Sequence, residues 1–443
     1  MYNNKKIFIL GAARSGYEVA KLLSKYNNQI LITDKADQDL NHILELENLG
    51  VKFIKTDDPI DLLDESFDVV VKNPGIRYDH PLILKAEKLK IDVVNEIEVA
   101  YNFLPKDVFI IGVTGSNGKT TTTTLIYEFI KHMGLKVHLG GNIGVPLSNI
   151  VPKVKEKDIL VLELSAQQLH DIKYFKPNIS IITNLVPVHI DFFGNFDNYI
   201  DNKLRICMNQ NESDITVINK SNKDEYNKTL NLKTKKIYFS SVEDADACIK
   251  DKAIYYNSEK IIDLSDIRIK GLHNYENIMC AIIATKELGI SNEVIKDVLN
   301  SFIGVEHRSE FVRKLNGREF YNDSKATNVK STQIALQAFT NPTILLLGGL
   351  DRGHSFDDLK NSLKNTTHII CFGETKYRIK DFADSLNIDC TIVDNVEEAV
   401  KLAYNISNEN DVILLSPACA SWDQFKCFED RGDLFKKTVM ELK

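Results

Sequence analysis

A glycine-rich loop between an apolar run and a helical pattern is the clearest sign of chemistry in this chain. The loop, Thr114-Gly-Ser-Asn-Gly-Lys-Thr120, follows apolar residues 108–113 and precedes a helical pattern over 120–132. Glycines let backbone N–H groups turn toward phosphate oxygens at a helix N-terminus. Lys119 supplies a charge for the outer phosphates, and Thr120 offers a hydroxyl to Mg²⁺. The loop predicts a nucleoside triphosphate site. The alternative is a tight turn, since Val113 replaces the first glycine of the full motif.

Downstream polar residues favour a metal ion beside that nucleotide. Glu163 follows the apolar run 159–162, His189 follows the run 179–183, and Lys203 comes later. Carboxyl ends of parallel strands open on one crevice, so we expect Glu163 and His189 near the phosphates. One carboxylate and one imidazole suit a divalent ion that keeps water and phosphate oxygens as its other ligands. A helix-capping role for Glu163 and a structural role for His189 are the alternatives. The combination indicates an ATP-consuming enzyme.

A second glycine turn near the start supports a rival interpretation. Gly11-x-Ala13-x-x-Gly16 fits the dinucleotide fingerprint with alanine at its second glycine, and Asp34 lies about 20 residues on. An NAD-dependent dehydrogenase would use this pattern. A nucleotide-linked substrate would use it too, with its diphosphate at the turn and Asp34 on its ribose or base. The second phosphate loop favours the latter, because a dehydrogenase has no use for it. A nucleotide-gated switch is the third class.

Apolar strands alternate with helical patterns along the whole chain, which predicts an α/β protein with parallel-rich sheets. We expect three domains: a Rossmann-like domain over 1–104, a central P-loop ATPase domain over 105–304 and a Rossmann-like domain over 305–443. Residues 219–236, rich in Asn and Lys, are expected to form a weakly ordered surface loop. The predicted strands span 6–10, 30–33, 51–54, 69–71, 93–94, 108–113, 159–162, 179–183, 343–347, 368–372, 391–393 and 412–415.

Composition excludes several classes of protein. The net charge of −7 argues against nucleic-acid binding, which favours a basic surface. No apolar stretch approaches membrane-spanning length, and the apolar run near the start is too short for a signal peptide. Seven cysteines without Cys-x-x-Cys spacing indicate reduced thiols. We therefore expect a cytoplasmic enzyme that binds neither nucleic acid nor membrane. We also expect a monomer with small-molecule substrates.

These motifs resemble the Mur ligase superfamily, the ATP-dependent amide ligases of cell-wall assembly. The resemblance covers essentially the whole chain, and the segments near 323–328 and 416–421 are typical of its D-glutamate-adding branch. It implies that ATP activates the carboxylate of UDP-N-acetylmuramoyl-L-alanine as an acyl phosphate, which the amine of D-glutamate then attacks. The segments that carry it are Thr114–Thr120 of the loop, Gly141-Asn-Ile-Gly144, Glu163-Leu-Ser165, His189-Ile-Asp191, Lys203-Leu-Arg205, Gly271-Leu-His-Asn-Tyr275, His307-Arg308, Asn322-Asp-Ser-Lys-Ala-Thr-Asn328 and Ser416-Pro-Ala-Cys-Ala-Ser-Trp-Asp-Gln-Phe425.

The resemblance also implies roles for individual residues. Lys119 would hold the β- and γ-phosphates, Thr120 and Glu163 one Mg²⁺, and His189 a second. Lys203 matches a lysine that the family carries as a carbamate, an unmodified surface lysine being the alternative. The implied catalytic residues are therefore Lys119, Glu163, His189 and Lys203, and the metal ligands are Thr120, Glu163, His189 and Lys203. The implied ATP contacts are Gly115, Ser116, Asn117, Gly118, Lys119, Thr120, Thr121, Asn274, Asn277, Arg308, Asp323 and Lys325. The implied substrate contacts are Ser15, Asp34, Gly75, Asn142, Ser165, Gln168, Thr327, Arg352, Ser421 and Phe428.

One position departs from part of the family. Some members have a lysine after a Gly-Gly turn, where this chain has Gly349-Leu-Asp-Arg352-Gly. Arg352 could bind the D-glutamate carboxylate through two guanidinium N–H groups. Alternatively, Asp351 and Arg352 could pair with each other. Trp422, beside Ser421, could line the pocket or pack in the core.

Overall fold

The computed structural model describes residues 2–187 and 190–443. For Ile190 and Asp191 it describes the backbone only. Its strands form three sheets in the described residues, most of them parallel and covered by helices, which confirms the predicted α/β class. No helix within these ranges is both long and apolar enough to cross a membrane.

The first sheet has five parallel strands in the order β3-β2-β1-β4-β5. Its central strand is buried on both faces, which suits a continuous apolar run. The strands are β1 (Lys6–Leu10), β2 (Gln29–Asp34), β3 (Lys52–Lys55), β4 (Val69–Lys72) and β5 (Asp92–Val94), and the helices are α1 (Arg14–Ser24), α2 (Leu40–Asn48), α3 (Pro81–Lys88) and α4 (Glu96–Tyr101).

The second sheet carries the phosphate loop between β6 and α5, at its centre. Its order is β14-β13-β12-β11-β10-β9-β6-β8-β7, parallel from β7 through β12, and β12 and β13 pair antiparallel. The strands are β6 (Phe109–Thr114), β7 (Val137–Gly141), β8 (Ile159–Glu163), β9 (Ile179–Ile182), β10 (Ile215–Asn219), β11 (Lys235–Ser240), β12 (Ala247–Lys250), β13 (Ala253–Tyr256) and β14 (Glu259–Asp263). The helices are α5 (Lys119–His132), α6 (Leu147–Ile150), α7 (Ala166–His170), α8 (Ile190–Phe193), α9 (Phe196–Leu204), α10 (Lys223–Thr229), α11 (Leu272–Lys286) and α12 (Asn292–Ser301).

The third sheet has the order β15-β16-β20-β17-β18-β19, parallel except for the β15–β16 hairpin. Its central strands are apolar and fully buried between helices on both faces. The strands are β15 (Glu310–Leu315), β16 (Arg318–Asn322), β17 (Thr343–Gly348), β18 (Thr366–Phe372), β19 (Asp389–Ile392) and β20 (Val412–Leu415), and the helices are α13 (Val329–Leu336), α14 (Lys376–Ser385), α15 (Val396–Ile406) and α16 (Phe428–Glu441).

The chain divides into two compact units. The first contains Met1–Ile262 and Glu276–Val298, and so holds the first two sheets, apart from the last residue of β14. The second contains Asp263–Tyr275 and Leu299–Lys443. The boundaries near 104 and 304 that the sequence suggests stay predictions.

The prediction of a loop over 219–236 is wrong. Helix α10 occupies residues 223–229, and strand β11 begins at Lys235. The Asn222 side chain caps the helix by accepting from the N–H of Glu225 at 3.2 Å, and the Glu225 carboxylate accepts from the N–H of Asn219 at 2.8 Å. Capping and buried polar contacts of this kind override a polar composition.

Candidate active site

Two glycines shape the phosphate loop at the end of β6. Gly115 and Gly118 have φ values of 142° and 81°, which side chains rarely adopt. A Cβ on Gly115 would lie 1.9 Å from Thr183 Oγ1, and one on Gly118 would lie 2.0 Å from Asn277 Oδ1. The close approach of Asn277 places this predicted ATP contact directly against the loop.

Side-chain and backbone bonds hold the loop to the segment after β9. The N–H of Ser116 donates to Asn184 O at 2.8 Å, and the N–H of Asn117 donates to Asn184 Oδ1 at 3.1 Å. The hydroxyl of Ser116 lies 2.9 Å from that of Tyr199 and 3.0 Å from Val186 O. These bonds therefore fix the conformation of the loop.

Glu163, at the end of β8, faces the start of α5. Its Oε2 accepts from the Thr120 hydroxyl at 2.8 Å, and its Oε1 accepts from the Asn142 amide at 2.8 Å. Two adjacent hard oxygen ligands of Mg²⁺, at bond lengths of about 2.1 Å, lie about 3 Å apart. The donor set and spacing of Thr120 and Glu163 therefore fit this ion.

Lys203, on α9, is 2% exposed. Its Nζ donates to Thr114 Oγ1 at 3.4 Å and lies 4.9 Å from the ring centroid of Tyr199. Burial, and then repulsion from Lys119, hold the pKa of Lys203 well below its usual range, against the attraction of Glu163. A buried amine with a low pKa is a nucleophile that carbon dioxide can carbamylate.

Ser116, Lys119, Asn142 and Lys203 line one cleft of about 400 Å³ in the first unit. It brings together six residues that the sequence analysis selected from five separate segments. The lining residues are Pro74, Gly75, Ser116, Lys119, Asn142, Ser165, Ala166, Gln167, Phe192, Tyr199 and Lys203. Gln167 lines the cleft, whereas the Gln168 side chain caps α7 by accepting from the N–H of Ser165 at 2.9 Å. The substrate contact assigned to Gln168 stays a prediction.

The other predicted residues of the first sheet lie around the turn after β1. Asp34 accepts from the N–H of Ala12 at 2.7 Å and from that of Ala36 at 2.9 Å, so its carboxylate also holds the glycine turn. The Ser15 hydroxyl accepts from the Asn73 amide at 3.2 Å. Asn73 lies on the loop of Gly75, which links the two regions predicted to bind the UDP-linked substrate.

The second unit brings Asp323 and Arg308 together. Asp323 accepts from the Ser416 hydroxyl at 2.7 Å and from the N–H of Ser309 at 3.1 Å. Burial raises the pKa of Asp323 to about 6, against the opposing effects of Ser416 and Arg308. The Nε of Arg308 is buried without a hydrogen-bond partner among the described residues, and an unsatisfied donor of this kind suits an anionic ligand. Asn274 and Lys325 also belong to this unit.

The sequence analysis missed a buried arginine that contacts the segments predicted to bind the amino acid. Arg431 is fully buried and donates to Ser324 Oγ at 3.0 Å, Ser324 O at 2.9 Å and Cys419 O at 3.1 Å. It therefore joins the two segments that carry Thr327 and Ser421. The sequence did contain a signal, because Arg431 falls on the apolar stripe of its helix, between Phe428 and Phe435.

Two predicted contacts adjoin that arginine. The hydroxyl of Ser421 is buried and has no hydrogen-bond partner in the described part of the chain. Phe428 begins α16, its carbonyl accepts from Ser324 at 2.8 Å, and its ring lies 5.5 Å from Lys325 Nζ.

The structure does not show the ion pair between Asp351 and Arg352 that the sequence analysis left open. Asp351 forms its ion pair with Arg378, and the Arg352 guanidinium stacks on Trp422, 4.7 Å from the ring centroid. Trp422 is 64% exposed, so it does not belong to the core. Arg352 is exposed as well, and is available to a ligand carboxylate.

His189 lies outside the described residues, so its predicted metal role stays a prediction. Tyr199, on the other hand, is a cleft residue that the sequence analysis missed. Tyr199 and Lys203 are four residues apart on α9, and this spacing places two side chains on the same helix face. Burial raises the pKa of Tyr199 to about 12, so its hydroxyl stays protonated and hydrogen-bonds with Ser116.

Comparison with known proteins agrees with this geometry. Residues 113–285 match the Mur ligase middle domain, and residues 307–419 match the Mur ligase glutamate ligase domain. The chain belongs to the Mur ligase family. The family resemblance predicted from the sequence is thereby confirmed.

Full-length relatives of this Mur ligase are known. A protein of Bacillus cereus (strain G9842) named UDP-N-acetylmuramoylalanine--D-glutamate ligase is 44% identical over 445 residues, which covers 100% of this chain and 98% of the relative. A protein of the same name from Bacillus anthracis (strain A0248) is 43% identical over 446 residues, with the same coverage.

Solved structures share the fold of this Mur ligase. The UDP-N-acetylmuramate-alanine ligase of Thermotoga maritima has a TM-score of 0.62 at 20% identity, covering 99% of this chain and 100% of that one. The MurF ligase of Thermotoga maritima, in complex with ADP, has a TM-score of 0.60 at 16% identity, covering 99% and 96%. At these identities the likeness establishes the fold alone.

Proposed function

We propose that this Mur ligase is an ATP-dependent ligase that joins D-glutamate to UDP-N-acetylmuramoyl-L-alanine in peptidoglycan precursor synthesis. The observation that carries the proposal is the cleft that Lys119 and Lys203 line together with Gly75 and Asn142. The Asn142 amide donates to Glu163, which adjoins this cleft. Such a cleft can hold a triphosphate beside a UDP-linked carboxylate. The full-length relatives named for this reaction support the choice of substrates.

The chemistry requires activation, since a carboxylate is a poor electrophile. The acceptor carboxylate attacks the γ-phosphate of ATP, the bond to ADP breaks, and an acyl phosphate forms. The D-glutamate amine then attacks the acyl carbon, loses a proton, and displaces phosphate. Lys119 stabilises the charge on the transferring phosphoryl group, and the phosphate loop positions that group. Electrostatic stabilisation and positioning are the main sources of catalysis in phosphoryl transfer.

Mg²⁺ would neutralise phosphate charge in this cleft when bound. Thr120 and Glu163 would hold one ion, and His189 with Lys203 a second. In the second unit, Arg308, Asp323 and Lys325 would contact the nucleotide, and Thr327, Arg352, Ser421 and Phe428 would contact D-glutamate. Asn274 and Asn277 would contact the adenosine.

Lys203 acts in this scheme as a carbamate. Its neutral amine attacks carbon dioxide, an N–C bond forms and a proton leaves, which gives an anion suited to a metal ion. We expect Lys203→Ala to lose most activity and a short carboxylic acid to restore part of it, as an external replacement for the carbamate. Lys136→Ala, an exposed lysine of the same unit, is the control. Full activity of Lys203→Ala would contradict the assignment.

Phosphate release tests the proposed reaction directly. We expect ATP-dependent release only with both UDP-N-acetylmuramoyl-L-alanine and D-glutamate, from a panel of D- and L-amino acids. Equal release with another amino acid would overturn the proposed specificity. Hydrolysis that neither substrate stimulates would favour a nucleotide-gated switch.

A further inference from the structure

A buried ion pair lies behind the loop that carries Gly75. Lys72 ends strand β4 and Asp171 follows helix α7, so the pair joins the regions of the first and second sheets within the first unit. Nζ lies 2.8 Å from Oδ2, and the two side chains are 1% and 6% exposed. Replacing such a pair by apolar residues is often neutral for stability, whereas removing one partner is costly. Stability alone therefore does not explain why the pair is there.

The same lysine fixes the turn that follows it. Lys72 Nζ also donates to Ile76 O at 2.8 Å. Within the turn, the N–H of Ile76 donates to Asn73 O at 3.0 Å, and the N–H of Gly75 donates to Asn73 Oδ1 at 3.2 Å. Gly75 and Pro74 line the cleft. The ammonium group of Lys72 thus fixes the turn whose residues Pro74 and Gly75 line the cleft.

The aspartate extends the connection to a second point of the same segment. Its Oδ1 lies 2.6 Å from His170 Nδ1, and the ring of His170 stacks on Tyr78 with centroids 5.3 Å apart and an interplanar angle of 16°. The hydrogen bond with His170, and then the charge of Lys72, hold the pKa of Asp171 below its ordinary value against the effect of burial. The segment 73–78 is therefore fastened to α7 at both ends.

We propose that Lys72 and Asp171 are positioning residues that hold the turn 73–76 ready for the UDP-linked acceptor. The inference rests on the proposed function, since it names a determinant of acceptor affinity in the same cleft. The phosphate loop is held separately, by Asn184 and Val186, and the D-glutamate contacts belong to the second unit. Loss of the pair should therefore weaken acceptor binding selectively.

Calorimetry on the full chain tests the proposal with UDP-N-acetylmuramoyl-L-alanine as the probe. We expect Lys72→Met to raise the acceptor Kd roughly tenfold, the cost of ordering a few groups on binding. The KM values for ATP and D-glutamate should stay within about twofold at saturating acceptor, because their contacts are independent of the turn. Lys176→Met is the matched control, since Lys176 pairs with the buried Asp214 at 2.9 Å away from the cleft lining.

A double variant separates positioning from stability. Lys72→Met with Asp171→Leu leaves no unpaired buried charge, so it should recover thermal stability but not acceptor affinity. An acceptor Kd for Lys72→Met equal to that of Lys176→Met, or full affinity in the double variant, would overturn the proposal. If Lys72→Met does not fold, the double variant alone decides. Failure of the unaltered chain to bind the acceptor would instead overturn the proposed function, and this inference with it.

Discussion

At the scale of single residues, Lys119 shows how the loop is prepared for a phosphate. Its Nζ donates to Gly115 O at 2.9 Å and to Ser116 O at 3.0 Å, so the ammonium is already directed over the loop. We expect Lys119→Ala to lower turnover by about 10²-fold or more, as removal of one electrostatic contact to a transition state typically does. Phosphate release measures the loss, and circular dichroism checks the fold.

Lys131 provides the control for that substitution, because it is exposed in the last turn of the same helix. Lys131→Ala should leave turnover near that of the unaltered chain. Near-normal release by a folded Lys119→Ala variant would show that the loop does not act on the transferred phosphate.

Arg352 is the residue that we expect to recognise the carboxylate of the amino acid. Its guanidinium lies on the face of Trp422 and is not paired with Asp351, so a ligand carboxylate can reach it. We expect Arg352→Ala to raise the KM for D-glutamate roughly 30-fold, which corresponds to about 2 kcal/mol, the low end for a charged contact because the site is exposed. The KM for ATP should change little. Steady-state kinetics with exposed Lys360→Ala as control measures both. Equal damage to both KM values would indicate a structural role.

At the scale of elements, the short helix α4 connects two regions of the first unit through acidic side chains. Glu98 is fully buried and accepts from three successive backbone N–H groups, those of Lys173, Tyr174 and Phe175, at 2.9 to 3.0 Å. Glu96 accepts from the N–H of Ser148 at 2.5 Å. The two carboxylates thus tie α4 to two separate segments of the first unit, the start of α6 and the residues after α7.

Glu96 predicts a pH dependence of stability. Burial raises the pKa of Glu96 from 4.5 to about 7, against the hydrogen bonds from Ser148. The folded chain then binds this proton more tightly than the unfolded chain, so the contribution is full below about pH 4.5 and falls as the pH rises through about 7. We expect Glu96→Gln to gain thermal stability relative to the unaltered chain at pH 8, by a few degrees more than at pH 5.5.

Melting curves at the two pH values measure that difference. Glu47→Gln, an exposed acid of α2, is the control and should show no such change. Identical shifts for Glu96→Gln at pH 5.5 and pH 8 would contradict the assigned titration.

At the scale of the whole molecule, two nucleotide-binding turns in one unit predict two different nucleotides. The phosphate loop accounts for ATP, so the turn after β1 should bind the UDP-linked substrate. Calorimetry on the full chain should show binding of the UDP-sugar in the presence of a non-hydrolysable ATP analogue, because the two sites are separate. Tight NAD binding that competes with the UDP-sugar, or reduction of a nicotinamide, would support a dehydrogenase instead.

Local pattern was sufficient for much of this protein. The strands around the phosphate loop and β20 (Val412–Leu415) agree with the sequence prediction to within a residue or two, because short apolar runs bounded by turn residues are typical of strands buried on both faces. The sequence also selects Lys119, Thr120 and Glu163, and the structure brings Thr120 and Glu163 together, while the catalytic and metal-binding roles of all three stay predictions. The family followed from the same short segments.

Only the tertiary structure decided the contacts between distant segments. Burial of Lys203 beside Tyr199, the pairing of Lys72 with Asp171 and the stacking of Arg352 on Trp422 each depend on how separate elements pack. Helix α10 also forms despite its polar composition, because the Asn222 cap and the contact of Glu225 with Asn219 of β10 stabilise it. Sequence pattern fixes which face of an element is buried, but long-range packing determines which charged groups meet there, and that pairing sets their protonation and their chemistry.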